Sequence, residues 1–101
     1  MADTGVIEKI KEHIEIQAPK MYKVILHNDE KTTFEFVIEV LIRIFHRNFQ
    51  DAVELTKAIH LMGQGIAGAP YTREIAEEKT QETINLARAN GFPLVATYEE
   101  L

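Results

Sequence analysis

Asn28, Asp29 and Glu30 put three acceptor-bearing side chains on consecutive residues, between an apolar run and a helical one. An ammonium group offers three donors and no acceptor, so converging oxygens or a neutral imidazole nitrogen are what would hold it. Phe34, Ile38 and Ile42 follow at four-residue steps and form an apolar row on the next segment. His60 and Thr56 fall four residues apart on a later helical stretch, off its apolar face. Acceptors beside an apolar surface suit a ligand that is charged at one end and apolar at the other. The same three residues also make a good connector: Asn and Asp favour turns, and acidic groups sit well before a helix N-terminus. Spacing alone leaves both readings open.

Other chemistries find little to stand on. The four histidines, His13, His27, His46 and His60, form no HExxH and no i, i+4 helical pair, so no metal site is expected. The chain has no serine and no cysteine, which removes a serine triad, thiol nucleophiles, thiolate zinc sites and disulfides. The acidic residues are spread along helix faces as a solvated surface would have them, rather than paired in a cleft. Gly63, Gly65 and Gly68 match no phosphate loop, and turn and bulge roles fit them better. No enzyme and no cofactor are therefore expected. A net charge of −5 argues against nucleic acid as a partner. No apolar run approaches the ~20 residues that would span a bilayer, and the start has no signal-like apolar region. A cytoplasmic location follows as the expectation.

The elements that must position these residues are legible in outline. Residues 21–27 read as a strand that stops at Asn28. Thr32 with Glu35 three residues later reads as a capping box, which starts a helix near Thr33. Phe36, Val37, Val40, Leu41, Ile44 and Phe45 recur at helical spacing as its buried stripe. Asn48 can cap a second helix over residues 49–62, closed by Gly63, with Ala52, Leu55, Ile59 and Met62 as the core face. A strand is expected in the middle of residues 63–71. Thr72 then caps a third helix to about Asn90, ended by Gly91, and residues 94–98 make a last strand. The order β-α-α-β-α-β predicts an α+β fold, with helices packed on a small three-stranded sheet. Ala18-Pro19 marks a boundary, so residues 1–19 read as a flexible, mildly amphipathic extension and residues 20–101 as the core domain.

The blocks MYKVILHNDEKTTFEFVIEVL, AIHLMGQGIAG, REIAEEK and FPLVATYEE together resemble the ClpS family of bacterial adaptor proteins, from about Pro19 to the C-terminus. The resemblance implies a non-enzymatic, monomeric N-end rule adaptor. It would bind substrates whose first residue is Phe, Tyr, Trp or Leu and deliver them to the AAA+ unfoldase ClpA of the ClpAP protease. By position, Asn28, Glu30 and His60 would receive the free α-amino group, with Asp29 in support. Val37, Ile59 and Leu94 would line the side-chain pocket, with Thr32, Thr33, Phe34 and Thr56 at its rim and walls. Glu74 and Lys79 fall where the family contacts ClpA, and the segment before Met21 would modulate it. Four positions depart from the usual pattern, which has Asp at Glu30, Pro at Thr33, and Met at Phe34 and Thr56. The competing reading is a passive protein–protein scaffold with no such pocket. The fold resembles the C-terminal domain of the ribosomal stalk protein, so architecture alone does not decide between them.

Overall fold

The structure is a computed structural model that describes residues 19–101, so the expected extension lies outside the described residues except for Pro19. Three strands and three helices follow in the order β1 (Tyr22–His27), α1 (Phe34–Arg43), α2 (Phe49–Met62), β2 (Gln64–Tyr71), α3 (Arg73–Ala89) and β3 (Val95–Glu100). The strands form one antiparallel sheet in the order β2-β1-β3, with His27 opposite Gln64 on one side and Val95 on the other. The α+β order read from the sequence is the observed one. β1 is central and most apolar because it pairs on both edges, and Val24 and Leu26 point into the core. There they meet the α1 stripe: Phe36, Val37, Val40, Leu41, Ile44 and Phe45 are all buried, as their spacing predicts.

The start of α1 differs from expectation by one residue. Thr33, not Thr32, is the N-cap, and its hydroxyl accepts from the Phe36 N–H at 3.2 Å. Thr32 is unavailable because Asp29 engages both its N–H and its hydroxyl, each at 2.7 Å. With the cap at Thr33, the residue three on is Phe36 and no capping box forms. Thr33→Ala should therefore cost about 1 kcal/mol, read as a drop of a few degrees in melting temperature. Glu35→Ala should leave stability nearly unchanged; a larger loss from Glu35→Ala than from Thr33→Ala would contradict this cap.

In α2 the cap is Asn48, whose Oδ1 accepts from the Asp51 N–H at 2.8 Å, and the end is Gly63 in the left-handed region. Of the expected core face, Ala52 and Ile59 are buried and Leu55 packs half-buried against the core, while Met62 is 79% exposed and Thr56 is buried in addition. The helix ends at Met62 and the chain turns back through Gly63 into β2, which leaves the last turn on the rim. Thr56 tolerates burial because its hydroxyl donates to the Ala52 carbonyl at 2.7 Å. β2 comes close to α2 at Gly65, where a Cβ would stand 2.8 Å from Ile59 Cγ1. Glycine there lets the Ile59 turn lie directly on the sheet. Thr72 caps α3 as expected, and Ala76, Thr83 and Ala87 form a small-residue buried face against the sheet.

Candidate functional site

One hollow gathers most of the singled-out residues at the end of the sheet where β1 stops. His27 and Asn28 come from that strand end, Asp29 and Thr32 from the turn, Phe34 and Val37 from α1. Thr56, Ile59 and His60 enter from α2, and Leu94 from the residue before β3. Five parts of the chain thus converge on one point, and the sequence separation between Asn28 and His60 disappears. A backbone bond makes the join, since Asn28 N–H donates to the Gly63 carbonyl at 2.9 Å. Gly63 can present that carbonyl because its positive φ of 90° turns the chain out of α2.

The turn is held rigid by Asp29. Oδ1 accepts from the backbone N–H groups of Lys31 (2.9 Å) and Thr32 (2.7 Å), and Oδ2 accepts from the Thr32 hydroxyl. Burial pushes the Asp29 carboxyl up, but these hydrogen bonds, the Thr32 hydroxyl first, and the Arg88 guanidinium outweigh it and hold the group below its ordinary value. Asp29 therefore shapes the site, while Asn28 leaves its side chain exposed beside the hollow. His60 is also exposed, and its ring meets Phe34 edge-on, with centroids 5.1 Å apart at 67°. The floor is apolar: Val37, Ile59 and Leu94 are buried, and Thr56 turns its hydroxyl to its own helix. In this arrangement the hollow is narrow, about 10 Å³, on a scale where one water needs roughly 10–15 Å³. Phe34, 44% exposed, is one of its lining side chains.

Four singled-out residues are placed elsewhere. Glu30 is exposed and outside the lining, and Thr33 is engaged as the α1 cap. Glu74 stands exposed in the first turn of α3. Lys79 is half-buried: its Nζ donates to the Ile44 carbonyl at 2.7 Å and lies over the Phe45 and Tyr71 rings. Two residues not singled out belong to the site. His27 lines the hollow and shares a 2.8 Å hydrogen bond between its Nε2 and Thr97 Oγ1. Its signal was a polar residue ending an apolar strand next to Asn28. Arg88 donates to the Phe92 and Leu94 carbonyls at 2.8 and 3.2 Å and faces Asp29 electrostatically. Nothing local in the sequence marks it. Among the described residues no cluster of histidine and acidic side chains could hold a metal ion.

The ClpS family model, "ATP-dependent Clp protease adaptor protein ClpS", matches residues 17–97 of this chain. The chain belongs to the ClpS family. ClpS adapter proteins among its relatives include that of Clostridium acetobutylicum, 49% identical over 97% of this chain and 96% of the relative. That of Campylobacter jejuni subsp. jejuni is 48% identical over 99% of both chains. Among solved structures, Agrobacterium tumefaciens ClpS2 bound to L-phenylalaninamide superposes with a TM-score of 0.78 at 36% identity. That match covers 82% of this chain and 99% of the other. The family is described, and these relatives are named, as adaptors of the ATP-dependent Clp protease. No helix among the described residues is long and apolar enough to cross a membrane.

Proposed function

We propose that the hollow reads the first residue of a polypeptide, and that the protein delivers such chains to the ClpA unfoldase of ClpAP in the cytoplasm. The observation that carries this reading is the convergence of Asn28, Asp29 and His60 on the mouth of an apolar pocket floored by Val37, Ile59 and Leu94. The Asn28 amide oxygen and a neutral His60 nitrogen would accept from the α-ammonium, and Asp29 would fix the turn that aims Asn28. The side chain would enter the floor as Phe34 swings outward, which its exposure allows. Phenylalaninamide, the ligand of the Agrobacterium structure, joins a free α-amino group to a benzyl side chain and lacks a free carboxylate, as the first residue of a polypeptide does. Large apolar first residues, Phe, Tyr, Trp and Leu, are the class this geometry favours. Burying such a side chain is worth roughly 1.5–3 kcal/mol. Docking to ClpA would use the exposed end of α3 around Glu74. Lys79, held to Ile44, would contribute mainly by keeping that helix in place.

The test is a titration of the full chain with peptides that differ only in their first residue. Phe-initiated peptide should bind at least ~10-fold more tightly than the Gly-initiated one, the loss of one buried aromatic. A passive scaffold would ignore the first residue, and equal affinities would remove the pocket reading.

A further inference from the structure

Leu94, part of the pocket floor, reaches its place through a stretch of chain that has little means of bonding itself there. Gly91, at a φ of 77°, turns the chain out of α3, and Pro93 has no N–H to donate. Phe92 packs its ring on Phe36 with centroids 4.8 Å apart, and Leu94 two residues on is 1% exposed in the floor. The carbonyls on either side of Pro93 are held by one side chain. Arg88, in the last turn of α3, donates from a single nitrogen, Nη1, to the Phe92 carbonyl at 2.8 Å and to the Leu94 carbonyl at 3.2 Å. The same guanidinium faces Asp29 across the site. A basic residue in a last turn is favoured by the helix dipole alone. The dipole asks for a charge there, however, and not for bonds to carbonyls four and six residues further on.

We propose that Arg88 is a positioning residue of the pocket: its bonds to the Phe92 and Leu94 carbonyls set the depth at which Leu94 floors the hollow, and so how well an apolar first side chain is accepted. The proposal rests on the first-residue reading above and concerns its apolar half. The hollow is narrow, so a small displacement of Leu94 changes its fit. Asn28 and His60, the acceptors offered to the α-ammonium, make no hydrogen bond with Arg88 among the described residues, and Asp29 keeps its three bonds to Lys31 and Thr32 without it. Amine capture is therefore independent of Arg88.

Three peptides measure this by competition anisotropy on the full chain: FRSRSG, GRSRSG and FRSRSG acetylated at its N-terminus. Two affinity ratios are taken on each protein sample, Phe-initiated over Gly-initiated and free over acetylated, so an unfolded fraction cancels. Arg88→Met removes charge and donors. Arg88→Lys keeps the charge at the end of α3 but places its nitrogen one bond short of the carbonyls. In both variants the Phe-to-Gly ratio should fall from at least ~10 to below about 3, while the free-to-acetylated ratio stays within about twofold of wild type. A Phe-to-Gly ratio that stays at the wild-type value in either variant overturns the proposal; if Arg88→Lys is the one that keeps it, the charge and not the carbonyl bonds is what counts. Both ratios falling together would mean a general loosening of the site, and also overturns it. Wild-type protein that binds FRSRSG and GRSRSG alike is a different failure: the first-residue reading is then wrong, and the role of Arg88 falls with it.

Discussion

A Phe-initiated peptide with a free α-amino group should bind at least ~100-fold more tightly than the same peptide acetylated at its N-terminus. Each charge-assisted hydrogen bond to the ammonium is worth about 1.5–3 kcal/mol, and two acceptors, Asn28 and His60, stand at the mouth of the hollow. Two such bonds correspond to factors of roughly 10² to 10⁴ in affinity. Acetylation removes the charge and two donors and adds a methyl group at a point where α1 and α2 leave little room. His60→Ala should remove part of the discrimination, lowering affinity for the free peptide while the acetylated one changes little. Because His60 is exposed and makes no hydrogen bond among the described residues, that variant should keep its melting temperature. Comparable binding of free and acetylated peptides in competition anisotropy would show that no amine is captured here.

Asp29→Ala should destabilise the domain by about 2 kcal/mol and lower affinity for the same peptide at least ~10-fold. The carboxylate organises the turn through three hydrogen bonds, to the Lys31 and Thr32 N–H groups and the Thr32 hydroxyl. For a domain of this size that loss corresponds to roughly 10 °C in melting temperature. The effect should depend on pH in a definite direction. The folded-state carboxyl titrates below its ordinary value of 3.8, so its stabilisation is fully present above that value. It is lost as pH falls from about 4 through the folded-state value. The stability gap between wild type and Asp29→Asn, from urea midpoints, should be flat from about pH 5 to 8 and close in stronger acid. A gap that instead grew on acidification, or an Asp29→Ala protein as stable as wild type, would show that the turn is held by something else.

Much of this molecule is legible in its sequence. The α1 stripe from Phe36 to Phe45, the caps at Asn48 and Thr72, and the stops at Gly63 and Gly91 all depend on neighbours within one or two turns. Periodicity and capping are local physics, so they survive folding unchanged. Errors arose where a distant or competing partner intervened. Thr32 was displaced as a cap because Asp29 claimed it. Met62 kept the right spacing for the core but had nothing beneath it. Arg88 left no trace, because its partners are defined only once α3 and the approach to β3 are packed.

The Asn28-Asp29-Glu30 turn was ambiguous in the sequence for the same reason. Three acceptors in a row announce a capacity for holding a cation, and a connector has the same composition. The sequence by itself determined the element order, the core stripe and a cluster of acceptors at the end of β1. Only the tertiary structure divided that cluster: Asp29 turned inward to brace the backbone, Asn28 was left beside the hollow, and Glu30 was left in solvent. It also brought His60, 32 residues beyond Asn28, to the same opening through the bond from Asn28 to Gly63. Directional hydrogen bonds and close packing set which side chains share a site, and those exist only when the chain has closed on itself.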